Sequence, residues 1–195
     1  MKTSGRSPRL PRSYQPGRLL RLLQGDMPGH RLERTATGAT RFVPVGGGPA
    51  IEVNERVQRR FLGHIETARF VVRIPARSVG DRGLGPTSLE IRHSGRLKRE
   101  GVTIDVRSGD ESAHQLAEVI GENPGFVAAT MQLDFTQFTL ALQEGEWVVT
   151  VELMGASFVS LALPPMRSYI RLHVDQREAL VASVTALSSV VTDFG

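Results

Sequence analysis

The sequence predicts an α+β fold: an antiparallel β-sheet of six to eight strands, as one sheet or two similar halves, covered by two to four helices. Three observations carry that expectation. Apolar and polar residues alternate in short runs separated by Gly-bearing links, as antiparallel strands do. Near the C-terminus the apolar period lengthens to three or four, as in an amphipathic helix. Strand-like runs also outnumber helix-like ones, leaving too few crossovers for a parallel sheet.

Residues 1–17 hold Pro8, Pro11 and Pro16 with several Arg and no acid, and are expected to form a disordered basic tail ahead of a single α+β domain over 18–195. An Arg-rich, acid-poor start also fits an organellar transit peptide, but the prolines interrupt the helix that such a peptide needs. Arg18 to Gln24 reads as a short amphipathic helix closed by Gly25, laid on the core; at two turns it is too short to hold a bilayer alone. Arg41–Val45 is a short strand, and Gly46-Gly47-Gly48-Pro49 leads into a second run at Ala50–Val53. Arg56 to Ile65 fits either a helix with one basic face or an extended chain running into a strand at Ile65–Ile74. Residues 75–88, rich in Gly, Pro, Arg and Ser, form a long loop. Leu89–Arg92 and Val102–Val106 flank a turn and make a hairpin.

Ser112 lies three residues before Gln115, a capping-box spacing that starts a helix ending near Gly121; Asn123-Pro124 then caps a second short helix over 126–133. Phe138, Leu140 and Leu142 alternate in one strand, and Trp147, Val149, Val151 and Leu153 in the next, with Glu144-Gly145 between them. After Gly155 a third strand, stopped by Pro164-Pro165, completes a meander. Asp175 and Glu178 cap a last helix, whose Leu180, Val184, Leu187 and Val191 form one stripe that needs the meander as cover.

Composition excludes several functions. The 195 residues are 40% hydrophobic and 23% charged, as in ordinary globular domains, and no apolar run could span a bilayer. With no cysteine, disulfides, thiolate metal sites and cysteine nucleophiles are ruled out, and a cytoplasmic setting is expected. The net charge of +4 conceals an asymmetry: residues 1–99 carry 20 Lys or Arg against 7 Asp or Glu (+13), and residues 100–195 carry 4 against 13 (−9). Either the basic half meets an anionic partner or the two halves attract each other within one fold; the second is the plainer reading.

No strong catalytic motif is present. The three glycines at 46–48 lack the Lys-Ser/Thr pair of a phosphate loop and read as a turn. None of the five histidines, at 30, 64, 93, 114 and 173, has metal-ligand spacing, so no metal or other cofactor is implied, and each reads as a surface or structural residue. Ser157 lacks a nucleophile elbow and reads as turn chemistry. The sharpest candidate is the run from Arg167 to His173: in extended form Arg167, Tyr169, Arg171 and His173 share one face, a row able to grip a phosphate or carboxylate. An edge strand with a solvated polar face explains the same residues. For nucleic acid the basic half supplies charge but few aromatics, so only weak, non-specific contact is expected, with Arg59, Arg60 and Arg69 the first choices.

With Glu-Leu-Met-Gly-Ala-Ser at 152–157 and Pro-Pro-Met-Arg-Ser-Tyr at 164–169 before a capped helix, the chain resembles, over residues 40–190, a small bacterial family known as a domain of unknown function. The resemblance implies a bacterial cytosolic protein and transfers no catalytic residue. The expectation is therefore a non-enzymatic module that binds a small anionic ligand or a protein partner. Its alternatives are weak nucleic-acid binding through the basic half and an enzyme whose site assembles only in three dimensions.

Overall fold

Alternating runs joined by tight turns become one antiparallel sheet in the computed structural model, which describes residues 10, 11, 13–35, 39–76, 85–95 and 98–194. The elements are α1 (Arg18–Asp26), β1 (His30–Arg34), β2 (Thr40–Pro44), β3 (Ile51–Arg60), β4 (Gly63–Pro75), β5 (Ser88–Ser94), β6 (Gly101–Ser108), α2 (Glu111–Glu122), α3 (Pro124–Gln132), β7 (Phe135–Gln143), β8 (Glu146–Leu161), β9 (Met166–Ile170) and α4 (Val174–Phe194). The strands run β1-β2-β3-β4-β8-β7-β5-β6, with β9 also paired to β8. The α+β expectation holds. Among the described residues the sheet has nine strands, and β8 at its centre joins β1–β4 to β5–β7 in one sheet. The extra strand, β1, lacks a buried-exposed alternation and is defined by its pairing with β2.

One difference shapes everything near the site. The turn and separate strand expected after Gly155 are instead the second half of β8, a single 16-residue strand. Opposite Ala68, its register jumps from Glu152 to Ser157, and Ala156 takes a positive φ of 54° to make the excursion. Ser157 Oγ donates to Met154 O at 3.0 Å and closes the bulge. A Cβ at Gly155 would lie 2.9 Å from the Arg171 carbonyl oxygen, so this corner needs glycine. Beyond the bulge β8 leaves β7 and pairs with β9, which is the true third strand of the meander.

Elsewhere the local signals decide. Arg56–Ile65 is extended, with Phe61-Leu62 as the turn from β3 to β4. Asp110, not Ser112, caps α2, accepting from Ser112 N and Ala113 N at 3.0 and 3.3 Å. Asn123 caps α3 as expected, accepting from Phe126 N at 2.8 Å. Leu19 and Leu23 of α1 and Leu180, Val184, Leu187 and Val191 of α4 enter one apolar cluster with Phe70, Val72, Val149 and Val151 of the sheet. Each such side chain contributes about 1.5–3 kcal/mol before entropy is counted. Among the described residues no helix is long and apolar enough to cross a membrane.

The oppositely charged halves meet inside the fold. Arg56 and Arg69 of the basic half both reach Glu152, at 3.1 and 2.7 Å, and Arg73 reaches Glu146 at 3.4 Å. Arg99 pairs with Asp134. The tail expected over residues 1–17 lies largely outside the described residues. Its end is tied to β3, where the Glu55 carboxylate accepts from Tyr14 Oη at 2.8 Å and Gly17 N at 2.9 Å. Burial and that carboxylate push the Tyr14 hydroxyl up to about 12. The centre of the long loop, residues 77–84, is also outside the described residues.

Candidate functional site

The inward-facing residues of β4 are apolar from Ile74 back to Ala68, and then the pattern breaks: the next two are Glu66 and His64, 0% and 1% exposed. Burying ionisable groups where the period calls for Val or Leu is costly unless they are paired. Here they are. Arg18, from the first turn of α1, reaches down to Glu66 Oε1, and its guanidinium stacks 3.7 Å above the Phe158 ring of β8. His64 Nε2 stands 3.0 Å from the same Oε1 and must be the donor, because a carboxylate only accepts. His64 Nδ1 then faces Ser13 Oγ at 3.5 Å. Glu66 Oε2 and Arg18 Nε are buried without a hydrogen-bond partner among the described residues, so the cluster retains unused donor and acceptor capacity.

Strand register extends this cluster into a row. Arg59 of β3 pairs with His64, His64 with Ser160 of β8, and Ser160 with Arg167 of β9. Cross-strand partners share a face, so Arg59, His64, Ser160 and Arg167 lie side by side on the inner face, beyond the end of α1. The next row inward is Val57, Glu66, Phe158 and Tyr169. Gly63 allows β4 and β8 to close here, since a Cβ on it would fall 2.0 Å from the Ser160 carbonyl oxygen. A cleft of about 460 Å³ opens at the β8–β9 end of the row, lined by Ser13, Gly63, Ser160, Pro165, Met166 and Arg167 and not by Arg59 or His64. Among the described residues neither Arg59 nor Arg167 has a carboxylate partner.

The other members of the expected anion row are differently engaged. Asp26, at the end of α1 and 5% exposed, accepts from Tyr169 Oη at 2.8 Å, Arg171 Nη2 at 2.7 Å and Leu172 N at 3.0 Å. Tyr169 and Arg171 thus already grip a carboxylate, and it belongs to the chain itself. Burial works to raise the Asp26 carboxyl, but the hydrogen bonds from Arg171, Tyr169 and Leu172 outweigh it and hold the group below the usual carboxylate range. His173 is exposed beside this hub. Of the nucleic-acid candidates, Arg69 is held by Glu152, Arg60 donates to Gln58 at 3.0 Å, and Arg59 belongs to the row.

His114 lines a second cleft with Asp105, Arg107 and Glu118, between α2 and the edge strand β6. Among the described residues no group of His, Asp and Glu side chains could hold a metal ion. By sequence Arg59 and Arg167 fall in separate candidates, and Ser13, Arg18, Glu66 and Ser160 fall in none. A readable signal existed in His64 and Glu66, which share the parity of Ala68, Phe70 and Val72. The partnership of Arg59 with Arg167 required the pairing of four strands.

A family model described as "Protein of unknown function (DUF3156)" matches residues 25–191 of the chain. No curated protein and no solved structure matches.

Proposed function

We propose a function for this chain, which belongs to the DUF3156 family of proteins of unknown function, from its own residues: it is a module that binds a small phosphate- or carboxylate-bearing anion. The observation that carries the reading is the row itself: two arginines that have no carboxylate partner among the described residues stand at its ends, His64 and Ser160 lie between them, and a cleft opens at the Ser160 and Arg167 end. Guanidinium forks suit oxyanions because they donate in pairs, and a charged donor roughly doubles the strength of a hydrogen bond. Ser160 and Ser13 add hydroxyl donors at the cleft wall. Glu66, in the adjacent row, is paired with Arg18, whose charge offsets its repulsion of an incoming anion.

Titration of inorganic phosphate by calorimetry tests this. Arg59→Ala and Arg167→Ala should each weaken binding about tenfold or more, the worth of one charge-assisted hydrogen bond. Arg41→Ala, whose side chain pairs with Glu33 at 3.2 Å on β1–β2, should leave binding unchanged. Failure of the wild-type chain to bind phosphate, or indifference to both site substitutions, would overturn the reading.

A second reading has a specific observation behind it. Ser13, His64 and Glu66 form a hydroxyl–imidazole–carboxylate chain at 3.5 and 3.0 Å, the order of groups that activates a serine for acyl transfer. Two features weigh against it. The first contact is at the limit of a hydrogen bond, and Arg18 draws on the charge that would orient the imidazole. A fluorophosphonate probe should label the wild-type chain and not Ser13→Ala if the serine is activated. Equal or absent labelling of both removes this reading.

A further inference from the structure

We infer that the end of the sheet carrying this row docks reversibly onto an anionic membrane surface, with the β3–β4 and β8–β9 turns as the inserting tips. Phe61, at the tip of the first turn, is 100% exposed, and Leu62 beside it 44%. Leu163 on the second turn and Met166 at the start of β9 are 67% and 45% exposed. A single exposed apolar residue is ordinary, but these four form one rim, because Ala162 N donates to Leu62 O at 2.7 Å and ties the two turns together.

The two stretches of chain that build the rim carry charge of one sign. Residues 57–63 and 158–168 contain no Asp or Glu, although the C-terminal half as a whole is acidic. Arg59, Arg60 and Arg167 lie in these two stretches. Apolar tips with a cationic border are the composition of a surface that meets acidic lipid headgroups, where each arginine contributes roughly 1 kcal/mol. A second copy of the chain is a poorer occupant, since an isologous contact would set these arginines against one another with no carboxylate in the two rim stretches to receive them. A fully projecting Phe61 also needs a pocket in any rigid partner, whereas a fluid acyl layer accepts it without one. In identifying the anion of the cleft as a headgroup phosphate, this inference rests on the reading above; the insertion of the tips does not.

Co-sedimentation of the full chain with phosphatidylcholine vesicles, with and without phosphatidylglycerol, tests the inference beside the phosphate titration. Binding should require phosphatidylglycerol and fall as salt rises. Phe61→Ser and Leu163→Ser should each lower vesicle partitioning about tenfold, the transfer of one large apolar side chain. Arg60→Ala should lower it about fivefold. All three should leave phosphate binding and thermal stability unchanged, because these side chains are exposed and outside the row. Phosphate binding without vesicle binding overturns the membrane inference and spares the anion reading. Vesicle binding without phosphate binding overturns the anion reading and spares the docking of the tips. Vesicle binding indifferent to Phe61→Ser, or a dimer in sedimentation that this substitution disperses, also overturns the inference.

Discussion

Asp26→Ala is expected to destabilise the protein by about 3 kcal/mol, read as a lower urea midpoint at unchanged slope. The loss comes from what the carboxylate leaves behind. Leu172 N, in a residue 3% exposed, and the half-buried Tyr169 hydroxyl both lose a charged acceptor, at roughly 1.5 kcal/mol or more each. Arg171, with most of its side chain in solvent, simply re-hydrates. The same carboxylate sets an acid limb. Its folded pKa lies below the unfolded value near 4, so its contribution is complete above about pH 4 and is lost as pH falls through the folded pKa. Asp26→Asn should therefore flatten stability against pH on the acid side and leave the neutral-to-basic limb unchanged. An unaltered acid limb in Asp26→Asn would mean that the carboxylate does not anchor α1 to the strand end at 169–172.

The hub also shows why the fold was more legible than the site. Helix stripes and strand alternation are local signals, and Leu180, Val184, Leu187 and Val191 are buried as their spacing demands. Local signals could not reveal that Asp26 meets Tyr169 and Arg171 across more than 140 residues, so a run legible as anion-gripping gave no hint that two of its members already hold an internal carboxylate. The Gly155 corner misled for a related reason. Glycine before an alternating run marks both a turn and a bulge, and only the pairing of β8 with β4 on both sides of Ala68 decides between them. Ser112 is a plausible cap by spacing, yet Asp110 is two residues nearer the chain's approach and carries a charge that complements the helix N-terminus. Arg59 and Arg167 are 108 positions apart in the chain and are aligned in one row, with backbones roughly 14 Å apart, only by three strand pairings, each with its own register.

The largest contrast is expected within the buried trio. Glu66→Ala should cost about 3–5 kcal/mol, because it strands Arg18 (side chain 14% exposed) and His64 without their acceptor. The combined variant Arg18→Met, His64→Leu, Glu66→Met should instead be as stable as the wild-type chain or more stable by about 1–4 kcal/mol, since a well-packed apolar trio carries no desolvation cost. The opposite signs follow from one fact: His64 and Glu66 occupy positions on β4 that its inward period would give to apolar side chains, and Arg18 comes from α1 to meet them. Urea unfolding of the two variants measures the contrast, and phosphate titration on the combined variant gives it meaning. A stable combined variant that no longer binds phosphate would show that the trio is kept for the site at the expense of stability. If that variant is as unstable as Glu66→Ala, the trio instead holds α1 against β4 and β8. If it is stable and still binds phosphate, the arginine row acts without the trio.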